Sequence, residues 1–445
     1  MNNPQGYCMA MFGHRRGKII FGAVLFSFLA IFFFSQSTST VYLKDLARPW
    51  LHPSVSSHDL TLFNQEDYDR RIHLLIPVTS PNAKFCKTFF SSVVNGYPPP
   101  FLINYNQTYW QEAIARAQKI KGFHDYLNTR TRDDDIIIMI DGFDVWFQLP
   151  LQVLLSRFLK LGVPVVFGAD KKCWPNDMKS VACTAIPQSP LPGDVFGDDT
   201  DRQTILRSRR EKYDNFRPRW VNSGTIIGYA AHVRSIYDEA WKKVEAAGQE
   251  VDSDQMILAE VYGDRVVKGD NTMSVDFYST LFQTMTYSHN DIAFVRNPSE
   301  EWTSTTFSKT ISTEKLPLED LGLSSKSPNP NRSPWKWRNL AWNKVSNRIP
   351  TLLHFNGPKN FIDLWWPRMW YYEDGAKWTE KIKAEPQRAG AWTNGKEPHK
   401  LGWFTYETLC GRERLFGEPE PAPPPAPPAA APQANANANQ GQGKP

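Results

Sequence analysis

The chain has 445 residues, 41% of them hydrophobic and 22% charged, enough apolar material for one large domain or two small ones and too much for a chain disordered throughout. Its net charge of +5 is mild and its basic residues are scattered, which excludes the long basic stripe of a nucleic-acid binder. The densest basic group, Arg207-Ser-Arg-Arg210 with Lys212, sits in a polar stretch and reads as a solvated loop.

Residues 19–34 form an uncharged apolar run preceded by His14, Arg15, Arg16 and Lys18. As a helix the run alone reaches only about 24 Å, and the uncharged stretch up to Leu43 completes a membrane crossing. With the basic flank first, the N-terminus stays in the cytosol and the rest of the chain enters the lumen, as a single-pass type II anchor. The competing reading is a cleaved signal peptide, for which residues 35–40 supply small residues. Both readings deliver the main domain to the secretory lumen. The expected divisions are a cytosolic end at 1–18, an anchor at 19–43, a stem at 44–65, the main domain at 66–380, an extension at 381–417 and a tail at 418–445. The tail is Pro, Ala, Asn, Gln and Gly, a composition that cannot bury a core.

Residues 71–79 (RIHLLIPVT) read as a short strand, 82–95 as a helix, 96–100 as a turn, 101–105 as a second strand and 111–129 as an amphipathic helix. The sequon at Asn106 lies between those last two, and a poorer one at Asn331 precedes Pro334. Residues 136–140 are apolar throughout with four isoleucines, the mark of a strand buried on both faces in a parallel sheet. A helix at 151–161 and another buried strand at 163–169 follow. Strands alternating with helices imply an α/β sheet with right-handed crossovers. Of the five cysteines, Cys8 falls on the cytosolic side, while Cys86, Cys173, Cys183 and Cys410 allow three complete pairings. Cys173 with Cys183 closes the shortest loop, and no Cys/His cluster has zinc-site spacing.

Ligands of open α/β sheets bind beyond the carboxyl ends of the strands, which directs attention to Asp141-Gly142-Phe143-Asp144. On a continuing strand Asp141 and Asp144 would point to opposite faces. A turn through Gly142 brings them together, and two converging carboxylates call for a hard divalent cation. The bland reading is a pair of turn or helix caps. Trp220-Val-Asn222-Ser-Gly224 runs into a strand at 226–230, with Gly224 open either to close approach of a ligand or to a bulge. Asp252-Ser-Asp254-Gln255 opens a helix at 256–262, where carboxylates also serve as caps. A short strand at 351–354 ends in His354-Phe-Asn356-Gly357-Pro-Lys359.

Taken in order, Thr79, Gln118-Lys119, IIIMIDGFDV at 136–145, Cys173-Trp-Pro175, Val221-Asn-Ser-Gly224 with Ile227-Gly228, Asp254-Gln255, Phe282-Gln283 and His354-Phe-Asn-Gly-Pro358 resemble the glycosyltransferase domain of the procollagen lysyl hydroxylase / procollagen glycosyltransferase family. The resemblance spans roughly residues 71–360, without the hydroxylase domains. It implies a GT-A fold, a Rossmann-like nucleotide-sugar-binding mixed sheet flanked by helices, here preceded by the transmembrane segment. It also implies a metal held by Asp141, Asp144 and His354. Two carboxylates and an imidazole favour Mn²⁺, among divalent cations, over Ca²⁺ or Mg²⁺. The donor would be a UDP-sugar and the acceptor a protein or glycan hydroxyl, at an endoplasmic reticulum or Golgi membrane. Lys119 and Lys359 fall on basic positions able to meet phosphate; Thr79, Asn356 and Gly357 complete the donor-binding set. Asn222 and Gly224 would line the sugar pocket, and Trp174 would be either a flap over the donor or core packing.

The family's run of aspartates before Asp-Gln is broken here by Ser253, which leaves Asp254 as the leading catalytic acid group, with Asp252 behind it. After Lys359 the chain departs from the family, and Trp365, Trp366, Trp370, Tyr371 and Tyr372 read as core or as an acceptor platform. The alternatives to a hexosyltransferase are a catalytically inactive luminal glycan-binding or scaffold protein with the same fold, and a metal-dependent hydrolase.

Overall fold

A computed structural model describes residues 71–193, 195–196, 210–295, 338–359, 362–394 and 401–417. The expected anchor, stem and tail, and the sequon at Asn331, lie outside the described residues. Among the described residues no helix is long and apolar enough to cross a membrane.

The chain opens with β1 (Ile72–Pro77) and α1 (Ala83–Val94), which the Asn82 side chain caps by accepting from Phe85 N at 3.0 Å. Strand β2 (Phe101–Ile103) and α2 (Glu112–Arg130) follow, then β3 (Ile136–Ile140), buried at every position as its isoleucine run requires. A three-residue turn leads into β4 (Val145–Phe147). Helix α3 (Leu151–Leu161) stops at Gly162, which takes the left-handed conformation at φ 65°. After it come β5 (Val165–Asp170), the short α4 (Val181–Thr184), β6 (Trp220–Tyr229), α5 (Ala230–Ala246) and α6 (Asp254–Val267).

The later part supplies β7 (Met273–Val275), β8 (Phe282–Thr284), β9 (Ile292–Val295), β10 (Leu340–Asn343) and β11 (Leu352–His354). It closes with α7 (Ile362–Trp365), α8 (Gly375–Ala384), β12 (Gly390–Asn394), β13 (Leu401–Thr405) and α9 (Tyr406–Cys410).

The main sheet has the order β13-β12-β2-β1-β3-β6-β5-β7. Strand β3 is parallel to β1 but antiparallel to β6, and β6 is antiparallel to β5 as well. The central sheet is therefore mixed, as the resemblance implied, with the parallel pairing suggested by the isoleucine strand holding toward β1 and giving way to antiparallel pairing at β6. That strand also begins earlier than periodicity indicated, at Trp220, so Trp220-Val-Asn222-Ser-Gly224 is part of it. Its register against β5 jumps from Phe167↔Ile226 to Gly168↔Asn222, a bulge that re-aims residues 223–225. One face of the sheet packs against α2, α5 and α6 through Phe123, Tyr237, Ile257 and Tyr262. A smaller sheet, β4-β11-β8, and the pair β10-β9 complete the layers.

The segment expected as an extension, 381–417, adds β12 and β13 to the main sheet, with Trp392 paired to Phe101. Disulfide Cys86–Cys410 ties it to α1, and Cys173–Cys183 is the second bridge. Trp366 and Tyr371 are buried. Trp366 packs against Phe90, Trp146 and Phe416, and Trp365 against Phe355. Trp365, Trp366 and Tyr371 are core beneath β4 and β11, which withdraws the acceptor-platform reading for these three, while Trp370 and Tyr372 are half-buried. Asn106 is exposed, as a sequon requires.

Candidate functional site

Two strand ladders bring the candidate ligands together. Strand β3 pairs with β6 up to Ile140↔Thr225, and the next rung, Asp141 N to Gly224 O at 2.8 Å, sets Asp141 beside Gly224. After the turn, β4 pairs with β11 so that Val145 faces His354, and Phe355 N donates to Asp144 O at 2.8 Å. Gly142 makes the turn possible for a reason other than backbone freedom: a Cβ there would lie 2.4 Å from Pro77 O.

The outcome is a cluster in which one donor atom each from Asp141, Asp144 and His354 lies within 4.8 Å of the others. His354 Nε2 stands 3.5 Å from Asp141 Oδ2 and 3.5 Å from Asp144 Oδ1. It is buried and has no hydrogen-bond partner. The other ring nitrogen, Nδ1, donates to Asn222 Oδ1 at 2.8 Å, since that oxygen also accepts from Gly224 N while Asn222 Nδ2 donates elsewhere. Nε2 is thereby turned toward the carboxylates, and once it gives up its proton its lone pair faces them, the tautomer a metal needs. A Cβ on Gly224 would fall 2.1 Å from His354 Cε1 and 2.6 Å from Asp141 Oδ2, so the glycine keeps the space between the ligands open. An unpartnered buried nitrogen, two converging carboxylates and a side-chain-free wall fit a divalent transition ion.

Electrostatics agree with a site built for positive charge. Burial would lower the pKa of His354, but Asp144 and Asp141 outweigh it and raise it to about 9. Burial would raise Asp141, yet the Lys119 ammonium and His354 hold it well below the usual carboxylate range. Asp144 is lowered too, where His354 outweighs burial. Lys119 Nζ donates to Asp141 Oδ1 at 2.6 Å and to Asp254 Oδ2 at 2.8 Å. It joins a candidate metal ligand to the candidate catalytic carboxylate. Lys359 pairs with Asp144 and donates to Phe355 O at 2.5 Å.

The remaining expected residues sort by contact. Ser253, not Asp254, occupies the cap position of α6, and the Asp254 side chain reaches Lys119. Asp252 is exposed in the bend before the helix. Asn222 and Gly224 are buried against the candidate ligands His354 and Asp141. Trp174 is 57% exposed, which removes the core-packing reading; its carbonyl accepts from Gln255 Nε2 at 2.6 Å. Thr79 is exposed just past β1, with its carbonyl bonded to Asn106 N. Gly357 sits at φ 77° with a would-be Cβ 2.4 Å from Thr286 Oγ1, and the Asn356 side chain bonds Met285 N, Thr286 N and Asp170.

Sequence reading missed Asp170, the last residue of β5. It carries the same signal as Asp141, a carboxylate ending a buried strand, but apolar patterning stops at Ala169, one residue short of the strand's end.

Residues 104–182 and 208–314 match the family model described as the PLOD GT domain. These segments include Lys119, Asp141, Asp144, Trp174, Asn222, Gly224 and Asp254 but not His354. Procollagen-lysine,2-oxoglutarate 5-dioxygenase 2 of Homo sapiens is 24% identical over 200 residues, 45% of this chain and 22% of that protein. Procollagen-lysine,2-oxoglutarate 5-dioxygenase 1 of Gallus gallus is 22% identical over 266 residues, 58% and 26% of the two chains. The multifunctional procollagen lysine hydroxylase and glycosyltransferase of Caenorhabditis elegans is 25% identical over 172 residues, 38% and 19%. The chain thus spans about a fifth to a quarter of the length of these relatives. Among solved structures, the apo structure of the WbbM bifunctional glycosyltransferase aligns at 10% identity with a TM-score of 0.31, over 71% of this chain and 52% of that one.

Proposed function

We propose that this chain, which carries a glycosyltransferase domain related to that of the procollagen lysyl hydroxylases, moves a hexose, galactose or glucose, from a UDP-sugar to a hydroxyl of a protein or glycan acceptor. The observation that carries the reading is His354 Nε2, buried, without a hydrogen bond and aimed between Asp141 and Asp144. Asp141, Asp144 and His354 hold a divalent cation, Mn²⁺ by the chemistry of the donor set. When bound, that ion neutralises charge growing on the departing nucleotide diphosphate.

The chain's own groups do the rest. Lys119 keeps Asp254 at the edge of the metal ligands. In an inverting reaction the Asp254 carboxylate accepts the proton of the attacking hydroxyl, and in a retaining one it stabilises the developing cation. Trp174 offers an exposed flat face to the donor. Thr79 and the segment Asn356, Gly357 and Lys359 border the diphosphate, Lys359 exchanging its Asp144 partner for phosphate. We place this chemistry in the secretory lumen, at an endoplasmic reticulum or Golgi membrane. The basic residues before the apolar run at 19–34 and the two disulfides support that placement.

The test is calorimetric titration of UDP into the full chain with and without Mn²⁺, alongside a screen of UDP-sugars for Mn²⁺-stimulated nucleotide release. Asp141→Asn, Asp144→Asn and His354→Ala are each expected to abolish the Mn²⁺ dependence, and pairs of them to be no worse than one. Folded Asp144→Asn and His354→Ala proteins that keep Mn²⁺-dependent UDP binding and full transfer would sink the metal site.

A further inference from the structure

The polar groups behind His354 converge on one buried carboxylate that the chemistry above does not use. Asp170 is 7% exposed. Its Oδ1 accepts from Asn356 Nδ2 at 2.9 Å, and its Oδ2 from Asn222 Nδ2 at 3.1 Å and from Gln255 Nε2 at 3.5 Å. The three amides come from three different segments: β6, the first turn of α6 and the loop after β11.

A carboxylate only accepts, so each amide must turn its NH₂ toward Asp170 and its oxygen away. Those oxygens then do specific work. Asn222 Oδ1 takes the Nδ1 proton of His354 at 2.8 Å and Gly224 N at 3.0 Å. Gln255 Oε1 takes Ser223 N at 3.3 Å, inside the β6 bulge, and Asn222 Nδ2 at 3.2 Å, while its Nε2 reaches Trp174 O at 2.6 Å. Asn356 Oδ1 takes Met285 N and Thr286 N. With a neutral amide in place of the carboxylate, only one end still accepts and the charge that held Asn222 Nδ2 is gone, so the Asn222 amide is no longer fixed against flipping. That flip removes the acceptor for Nδ1–H of His354 and releases the ring from the orientation that aims Nε2 at Asp141 and Asp144.

We propose that Asp170 is a positioning residue of the transfer site, setting the orientation of His354 through Asn222. Through Gln255 it anchors the first turn of α6, with Asp254, and the Trp174 segment. The inference rests on the metal reading of Asp141, Asp144 and His354.

The experiment is Mn²⁺ titration, in the presence of UDP, of the full chain carrying Asp170→Asn, with the absorption spectrum of the Co²⁺-loaded protein as a record of ligand geometry. Mn²⁺ affinity is expected to fall about 10- to 100-fold, and the Co²⁺ spectrum to change. Asp276→Asn is the control for a merely structural effect. This buried carboxylate accepts from Leu281 N and Phe282 N, and its loss should lower the melting temperature without weakening Mn²⁺ binding. Asn222→Ala is expected to reproduce the Mn²⁺ defect even if Asp170→Asn does not fold. Gln255→Met should lower turnover while costing less Mn²⁺ affinity than Asn222→Ala, because Asn222 Nδ2 loses one acceptor but keeps Asp170. Wild-type Mn²⁺ affinity and an unchanged Co²⁺ spectrum in Asp170→Asn, or in Asn222→Ala, overturn the inference alone, as does a control that loses Mn²⁺ equally. A wild-type chain that binds no Mn²⁺ sinks the metal reading and this inference with it.

Discussion

Gly224→Ala is the sharpest single perturbation of the site, because it adds one methyl group where the ligands face one another. The new Cβ would lie 2.1 Å from His354 Cε1, 2.6 Å from Asp141 Oδ2 and 2.7 Å from His354 Nε2. Restoring ordinary contact at 3.4 Å requires the imidazole to retreat by about 1.3 Å. Its surroundings oppose that. The ring is 2% exposed and held at Nδ1 by Asn222. Strand β6 cannot yield readily either, being bonded to Asp141 N through Gly224 O, paired with β3 up to Thr225 and pinned to β5 on either side of the bulge.

Overpacking of this kind destabilises by about 1–3 kcal/mol, so the protein should fold. Misplacing a reacting group by about 1 Å lowers rate by about 100-fold, or about 2.7 kcal/mol. Mn²⁺-dependent UDP binding should weaken by a similar factor. Calorimetry with Mn²⁺ and UDP, circular dichroism and a transfer assay read the three quantities. A folded Gly224→Ala protein with wild-type Mn²⁺ affinity would refute the placement of the ion between these residues.

Three further outcomes are expected. His354 titrates near 9 in the metal-free protein, above its ordinary value near 6.5, so Mn²⁺ must displace a proton below pH 9. Its affinity should rise with pH, by about tenfold per unit between pH 6.5 and 9 if His354 alone exchanges. The same proton stabilises the metal-free fold fully below pH 6.5, and that contribution is lost as pH rises through about 9. Melting curves with excess chelator check this, and a pH-independent Mn²⁺ affinity would contradict it. Asp254→Asn should lower turnover by about 100-fold or more while leaving Mn²⁺-dependent UDP binding within a few-fold of wild type; equal loss of both would make Asp254 part of the metal or donor set. Cys410→Ser opens the bridge to Cys86, 324 residues away, and should remove about 2–5 kcal/mol of stability in chemical denaturation; an unchanged midpoint would mean that β12 and β13 hold without it.

Much of this architecture is local and was therefore legible. Five apolar residues from Ile136 to Ile140 have no stable place except a strand buried on both faces, and that is β3, residue for residue. The helix at Leu151–Leu161 follows from its apolar spacing and ends at a glycine able to adopt positive φ. The Asp141–Asp144 pair declared itself because a polar pair ending an apolar strand is a local contradiction that needs a ligand or a cap. His354 did not declare itself in that way: a lone imidazole after a three-residue strand has no local oddity, and only the resemblance selected it.

Long-range pairing supplied what spacing could not. The antiparallel direction of β6 depends on which neighbours it meets, and hydrophobic pattern is blind to strand direction. The bulge that carries Gly224 to the candidate ligands exists only against β5, and β11 reaches Asp144 by pairing with β4 across more than 200 residues. Strands β12 and β13, short and partly exposed, resemble loop in sequence until β2 offers an edge to extend. Asp170, Lys119 and Gln255 acquire their roles the same way. A buried charge or amide is defined by its partners, and those partners come from segments the chain's order keeps far apart.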